Sequence, residues 1–523
     1  MTTTTKLVIL LFLLAAQFFY TGLGVRPMDK VQEIRVAETA MAMSESGNWA
    51  VPYYNGELRL RKPPLAYWLT ATSYRMFGQV SEFAARFTSA SFAILTTFML
   101  FFWANKLLGV RSATLIAICF VSSYIALRYF RSSETDSVLL FFVVTACFIG
   151  YQILYERPSL ARVLLLHLCM GLGFLTKGPA AIVIPLLLIL ICTVKDRQLH
   201  LWRKLLHPLG VLILLVTAFS WYAFIFYTMP DQAHQLVGAE VDATYITGRH
   251  ANPLYYYIPR IFYYFMPWSV FIIPAGLWLY RTRPHPPIIN YAIIWFALAF
   301  IILSLNVNKQ IQYALLLTPP LMILIGHYLS ASAGKYAFAN RIIFIVVLSL
   351  AGLLMAGVIA KWGGTDSAGL WQIALLLGGS LLPVVIAQVL YREGAIPYRE
   401  LLLAGMIAST WVYGQRYWYN ADDMEGAQTR QFTLKAKTYA PLFIYRQANS
   451  RVSFYAGRVV PAIQDSQDIP PLLDRLGQLY LVVRAADAAW NPQAIPAVTA
   501  TRLTGDGRFS LWKFTQKNQR AAN

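Results

Sequence analysis

The stretch 137–155, SVLLFFVVTACFIGYQILY, runs nineteen residues without a charged side chain. As a helix it covers about 30 Å, the thickness of a bilayer's hydrocarbon core. Working outward, comparable apolar stretches begin at 7–25, 83–105 and 110–127 before it. After it come 161–176, 179–194, 206–228, 258–280, 288–305, 312–331, 341–360, 371–391 and 398–415. Only Lys6 precedes the first, and no small-residue cleavage site follows, so it reads as an anchor and not a removed signal peptide. The 523 residues are 57% hydrophobic and only 13% charged, with mean hydropathy +0.51, whereas a soluble domain is about a quarter charged. The expected fold class is an all-α polytopic membrane protein of about thirteen helices, with fused or split spans as the expected counting error.

The balance of 44 Lys+Arg against 24 Asp+Glu gives +20. No basic stripe interleaved with aromatics lies on a soluble face, so nucleic acid is not an expected partner. Much of the excess follows topology. The loops after even-numbered spans carry Lys106, Arg111, Arg157, Lys195, Arg197, Arg203, Lys204, Arg281, Arg283, Lys335, Arg392 and Arg399. The positive-inside rule then places the amino terminus in the cytoplasm, with the loop 26–82 and the carboxy-terminal tail outside. Cys119, Cys147, Cys169 and Cys192 all fall within apolar stretches, and His167 and His327 read as packing residues; neither set has metal-ligand spacing.

Charge rises toward the tail, dividing the chain into a membrane domain, 1–428, and a small C-terminal α/β domain, 429–523. Short runs at Leu442–Tyr445, Val452–Tyr455, Leu479–Val483 and Phe509–Phe514, the last after Gly505-Asp506-Gly507, read as strands, and Leu472–Leu476 as helix. The tail shows no nucleophile, base or metal pattern, which suggests docking or substrate shaping.

The spans are nearly free of ionisable groups, which a pump or channel would place deep in the bilayer. Charges gather instead at the outer ends and loops: Glu33, Arg35, Glu38, Arg59, Arg61, Lys62, Arg128, Arg131, Glu134, Asp136, Lys177, Glu240, Arg249, His250 and Lys309. Outer cations run against the positive-inside trend, and an anionic substrate at the outer surface accounts for them. Within 26–82, Val31, Ile34, Ala37 and Met41 recur at helical spacing, the pattern of an amphipathic helix on the membrane with Glu33 and Arg35 on other faces. Glu38, three residues after Arg35, reads as its ion-pair partner. Val51–Leu60 alternates around Asn55-Gly56, a hairpin-turn pair, and Arg61-Lys62 precede Pro63-Pro64, whose stiffness makes Lys62 a preorganised phosphate contact.

The runs 33–38 (EIRVAE) and 45–52 (ESGNWAVP), Asn55-Gly56, Lys62-Pro63-Pro64, Tyr67-Trp68 and Ala85-Arg86-Phe87 together resemble the ArnT-type polyprenyl-phosphate glycosyltransferases. Arg131, Asp136, 174–179 (FLTKGP), Pro253, Tyr255 to Pro259, Pro267-Trp268, Ser304, Lys309 and Tyr313 continue the pattern. That family is related to protein O-mannosyltransferases within the GT-C fold. The resemblance implies a sugar donor on a polyprenyl phosphate and a lipid A or other envelope-glycan acceptor, with membrane lipids as surroundings, at the outer face of a bacterial inner membrane. It implies catalytic roles for Glu33 and Asp136, phosphate contacts by Lys62, Arg131, Lys177, Arg249 and Lys309, and substrate contacts by Arg35, Glu38, Arg86, Glu240 and Tyr313. No cofactor is specified by it, and a divalent metal ion on Glu33 or Asp136 is compatible. Gln32 stands where the family usually has Asp.

For a hydroxyl acceptor Asp136 would act as general base; for an ionised phosphate acceptor no base is needed. Alternatively Asp136 caps the fourth span, and the cations anchor lipid headgroups. The tyrosines and aromatics from 255 to 268 read as an interfacial belt or a sugar or lipid groove. Gly171, Gly173 and Lys177-Gly178 resemble a phosphate loop only superficially, since no Ser or Thr follows the lysine. Protein O-glycosylation is the alternative transfer reaction, and lipid or sugar transport the alternative from another class.

Overall fold

A computed structural model describes residues 3–28, 30–242, 250–331, 424–485, 487, 490–506 and 508–517. The expected spans at 341–360, 371–391 and 398–415, together with Lys335, Arg392, Arg399 and Arg249, lie outside the described residues. The described helices are, in order, α1 (Thr3–Tyr20), α2 (Val31–Ser46), α3 (Leu65–Phe77), α4 (Glu82–Leu108), α5 (Val110–Val121), α6 (Tyr124–Tyr129), α7 (Asp136–Tyr155), α8 (Leu160–Lys177), α9 (Ala180–Lys195) and α10 (Trp202–Leu205). They continue with α11 (Pro208–Thr228), α12 (Pro230–Val241), α13 (Tyr257–Tyr264), α14 (Ile272–Arg281), α15 (Pro287–Leu305), α16 (Thr318–Ala331), α17 (Met424–Ala436), α18 (Ser450–Ala456) and α19 (Ile469–Leu476). The chain divides into two compact units, Met1–Gly22 with Ser89–Tyr419 and Leu23–Thr88 with Asn420–Asn523.

The first unit is a multi-pass helical membrane domain. Among the described residues six helices are long and apolar enough to cross a bilayer: α4, α7, α8, α11, α15 and the run Ile311–Ala331. Thr5–Tyr20, Val110–Val121 and Ala180–Lys195 are apolar but shorter. Two expected spans are broken. The stretch 110–127 divides at Ser122-Ser123, whose hydroxyls donate to the carbonyls of Ile118 (2.6 Å) and Phe120 (3.0 Å) and so compete with helix continuation. The stretch 258–280 divides into Leu254–Tyr264 and Trp268–Arg281, bent by 110° across Met266-Pro267, where proline has no N–H to continue the ladder.

Helix α7 is the centre of this unit, buried along nearly its whole length, while α11 turns Leu209, Leu212, Leu215, Val216 and Phe219 outward as a lipid-facing side. The glycines that resembled a phosphate loop serve packing. A Cβ on Gly171 would strike Thr217 of α11, and one on Gly173 would come within 2.6 Å of Ala181 of α9. Ion pairs mark the two ends of the bundle. At one, Glu156 at the end of α7 joins Lys106 of α4 (2.6 Å) and Arg162 of α8 (3.1 Å), while Tyr155 donates to Asp196 after α9 (2.7 Å). The other end gathers the start of α7 and the end of α8.

In the second unit a five-stranded sheet runs in the order β4-β3-β5-β7-β6, formed by β3 (Leu442–Tyr445), β4 (Ala462–Ile463), β5 (Gln478–Arg484), β6 (Val498–Gly505) and β7 (Phe509–Gln516). Strand β3 pairs in parallel with β4 and β5, whereas β7 pairs antiparallel with β5 and β6. The expected strand Val452–Tyr455 is instead the helix α18. Asn449 accepts hydrogen bonds from the N–H groups of Arg451 and Val452, and Gly457 ends the turn at φ +72°, so end signals outweigh the strand preference of its residues. The hairpin forms as read, with β1 (Tyr53–Tyr54) and β2 (Glu57–Leu58) joined by Asn55 (φ +53°) and Gly56 (φ +79°).

Helix α2 departs from its expected place. It is not a one-sided membrane helix: Val31 is exposed, and Glu33, Ile34 and Val36 through Met43 are buried. Its surroundings are α3 and the aromatics Phe454 and Tyr455 of α18, and Tyr455 accepts a hydrogen bond from the Met28 N–H at 2.8 Å. The Val31, Ile34, Ala37, Met41 spacing is real, but Ala40, Ala42 and Met43 on other faces are apolar too, the signature of a helix enclosed on several sides.

Candidate functional site

Asp136 opens α7 and Lys177 closes α8, helices that run side by side, so the two charges meet where the apolar runs stop. The Lys177 ammonium donates to both Asp136 carboxylate oxygens at 2.6 Å and stands 4.9 Å from the centroid of the Tyr313 ring. Asp136 caps no helix end: Thr135 holds that position without a side-chain bond, and both Asp136 oxygens turn to the lysine. Three residues read separately from the sequence, Asp136, Lys177 and Tyr313, therefore form one centre. An ion pair among apolar helices recovers its desolvation cost only with close geometry, and the short bidentate contact supplies it.

Arg131 lies at the same end of the bundle but points at backbone. Its guanidinium donates to the carbonyls of Phe18 (2.7 Å) and Thr21 (2.5 Å), closing off the end of α1. Lys309, only 3% exposed, donates to the carbonyls of Asn252 (3.0 Å) and Asn306 (2.5 Å) and joins the segment after α15 to the segment before α13. Glu240 falls in α12, and Arg249 lies outside the described residues.

The second unit holds two carboxylates on α2. Glu33 is 0% exposed. Arg86 of α4 grips it with Nε to one oxygen (2.7 Å) and Nη2 to the other (3.3 Å), and Arg26 adds a contact at 3.2 Å. The remaining Arg86 donors reach the carbonyls of Leu23 and Arg26 (both 2.7 Å) and Pro27 (3.1 Å). Arg86 thus folds the 23–28 segment around Glu33. Burial alone would raise the Glu33 pKa, but Arg86 first and Arg26 next hold it down at about 2.

Glu38 has no such partner. The expected ion pair with Arg35 does not form: both Glu38 oxygens accept from the Asn55 N–H at 3.2 Å, and the enclosed Arg35 Nε makes no hydrogen bond among the described residues. The carboxyl latches the hairpin from beneath. Burial pushes its pKa up to about 7, against the Asn55 hydrogen bond and the charge of Arg59, while Glu45 adds to the rise. Beyond the hairpin, Lys62 is half-buried, and Pro63 and Pro64 are buried at the entrance to α3, the stiff setting its sequence implied.

Arg26 and the enclosure of Glu38 escaped the sequence reading. A signal for the second was present in the apolar residues on every face of α2; for Arg26, seven residues before Glu33 and outside any helix, there was none. Among the described residues no three His, Cys, Asp or Glu side chains gather as a metal site. The carboxylates considered for a divalent ion fit it poorly, since Arg86 and Arg26 occupy Glu33 and Lys177 occupies both oxygens of Asp136.

Residues 61–222 match the sequence family of dolichyl-phosphate-mannose-protein mannosyltransferases. The undecaprenyl phosphate-α-4-amino-4-deoxy-L-arabinose arabinosyl transferase 1 of Proteus mirabilis is 27% identical over 405 residues, covering 74% of this chain and 72% of that protein. The corresponding transferase of Edwardsiella ictaluri is 27% identical over 382 residues, covering 70% and 68%. The crystal structure of ArnT from Cupriavidus metallidurans bound to undecaprenyl phosphate superposes with a TM-score of 0.80 at 21% identity, covering 98% of both chains. The fold is the ArnT fold, C-terminal sheet region included.

Proposed function

We propose that this ArnT-like membrane glycosyltransferase moves a sugar from undecaprenyl phosphate or a similar polyprenyl phosphate to a lipid A or other envelope-glycan acceptor at the outer face of a bacterial inner membrane. The single observation that carries the reading is the Asp136–Lys177 pair beside Tyr313 at one end of an otherwise apolar bundle. Ionisable groups are costly in such surroundings and are kept for chemistry. Similarity to named arabinosyl transferases supplies the donor class.

In this reading the amino terminus is cytoplasmic and the charges around Asp136 face the opposite compartment. The chemistry has two demands. A departing lipid phosphate needs cations where negative charge develops, the role assigned to Lys62 and Arg249, whereas the buried Lys309 donates to two backbone carbonyls and holds its own segment. The acceptor needs a group that orients its attacking oxygen, and takes the proton if that oxygen belongs to a hydroxyl. Asp136 fills this role, with Lys177 fixing the carboxylate's direction and Tyr313 limiting the lysine's travel. Glu33, closed in by two guanidinium groups, supports the fold of its segment and acts on the reaction only through it.

The test uses the full chain in membranes supplied with undecaprenyl phosphate-linked aminoarabinose and lipid A, read by mass spectrometry. Asp136→Asn and Lys177→Met should each lower product by about a hundredfold. Undiminished transfer by both variants would remove the assignment. The match to protein mannosyltransferases favours one second reading, protein O-glycosylation; glycopeptides that disappear from the envelope proteome of a deletion strain, with lipid A unchanged, would select it. Transport, the reading from another class, predicts an ionisable midplane site beside broken helices, whereas the Asp136–Lys177 pair sits where α7 begins and α8 ends.

A further inference from the structure

Lys309 lies in a strap between two segments of the membrane unit, 250–252 and 306–310. Ala251 and Asn308 pair as an antiparallel bridge, and beside them the Lys309 N–H donates to the His250 carbonyl at 3.0 Å. The Asn252 side chain donates to the carbonyls of His250 (3.0 Å) and Lys309 (3.4 Å). The ammonium closes the strap from within, and its hydrogen bonds among the described residues go to backbone alone, the carbonyls of Asn252 and Asn306. The strap leads to the Asp136 centre. The Gln310 carbonyl, one residue beyond Lys309, accepts from the Tyr257 hydroxyl at 3.0 Å and from the Tyr313 N–H at 3.2 Å. Tyr313 belongs to the short helix Ile311–Leu317, and its ring centroid stands 4.9 Å from the Lys177 ammonium, which grips both Asp136 oxygens at 2.6 Å. Each link from Lys309 to the carboxylate is thus a step along the chain or a short contact.

A buried cation is costly unless its donors are satisfied, and this one is satisfied by holding two stretches of backbone together. We propose that Lys309 is a positioning residue for the transfer: by stapling 250–252 to 306–310 it fixes Tyr313, and through Tyr313 the place of Lys177 and Asp136. This rests on the transfer reaction proposed above, and it replaces the phosphate contact that the resemblance implied for Lys309. The ring face attracts the Lys177 ammonium only while the two stay aligned, and Lys177 in turn directs the carboxylate that must meet the attacking oxygen. A displacement of about 1 Å at a reacting group can cost about a hundredfold in rate. A strap released at Lys309 leaves the chain connected and Tyr257 still tied to Gln310, so the expected loss is smaller than that from changing Asp136 itself.

The test measures transfer kinetics of the full chain in membranes with undecaprenyl phosphate-linked aminoarabinose and lipid A, beside binding of undecaprenyl phosphate. Lys309→Met should lower kcat about tenfold, while the KM for the donor and the affinity for undecaprenyl phosphate stay as in the wild type. In a Tyr313→Leu background the same substitution should bring no further loss, because the link it acts through is gone. Lys309→Arg, which keeps donors for both carbonyls, should recover part of the rate. Tyr257→Phe removes the second tie to Gln310 without touching a charge and should give the same pattern on a smaller scale; it decides alone if Lys309→Met does not fold. Losses that multiply in the double variant overturn the proposal, as does an unchanged kcat. A fall in undecaprenyl phosphate affinity also overturns it and returns Lys309 to the phosphate. Hydrogen exchange separates the strap from the reaction, since the amides of 306–313 should exchange faster in Lys309→Met. Equal exchange is failure of the strap, whereas wild-type protein that transfers no sugar, with the difference in exchange still present, is failure of the transfer reading.

Discussion

Glu33 and Asp136 are both carboxylates facing a cation across a helix boundary, yet they are built for different ends. Glu33 is enclosed, with both oxygens held by Arg86, a further contact from Arg26, and Arg86 itself shared with three backbone carbonyls. Asp136 meets one flexible lysine, and its side chain retains 8% exposure. The rigid fork fixes a chain segment; the single ammonium can trade its partner for a substrate oxygen. Glu38, on the same helix as Glu33 but facing an N–H instead of a guanidinium, adds a third case in which burial goes largely uncompensated.

The largest break in this comparison should come from Arg86→Met. It removes the bidentate partner of the fully buried Glu33, leaving the Arg26 contact and the charge of Lys30, and should destabilise the protein by about 3–5 kcal/mol, seen as a lower melting temperature and poor membrane yield. Wild-type melting would mean that the fork is not structural. Asp136→Asn should show the reverse profile, a roughly hundredfold loss of transfer with a smaller loss of stability, because its pair is less enclosed. A melting loss equal to that of Arg86→Met would erase the distinction.

The two α2 carboxylates should also respond oppositely to pH. Glu33 titrates near 2 in the folded protein against 4.5 ordinarily, so its stabilisation is complete above 4.5 and is lost as pH falls toward 2. Glu38 titrates near 7, so its contribution is complete below 4.5 and is lost as pH rises through about 7. Thermal melts from pH 4 to 8 should therefore show a decline toward neutrality that Glu38→Gln flattens; an unchanged slope would place the titration elsewhere. The smallest effect belongs to Gln32→Asp. The position is exposed, and the change should move stability by no more than about 0.5 kcal/mol. A larger drop in melting temperature would show that a second acid reaches the Arg86 fork.

Much of the fold was readable in the chain because its signals are local. An uncharged run long enough for a bilayer declares a span, and Asn55-Gly56 declares a turn through its backbone preferences. The same local reasoning failed at Val452–Tyr455, where a side-chain cap and a glycine stop decided for helix, and at Ser122-Ser123 and Pro267, where one apolar run became two helices. For the candidate site, the sequence named Asp136, Lys177 and Tyr313 but not their union, and paired Glu38 with Arg35 because helical spacing was the only geometry in view.

By itself, the sequence determined that this is a membrane protein with sparse, end-loaded charge, since hydrophobic length and charge content need no partner to be read. Tertiary structure alone decided which charges neutralise one another. Arg86 reaches Glu33 across 53 residues and Lys177 reaches Asp136 across 41, separations with no periodic trace in the chain. The energy of a charge depends on what surrounds it once folded, which is why one carboxylate on α2 is held near pKa 2 and another, five residues on, near 7.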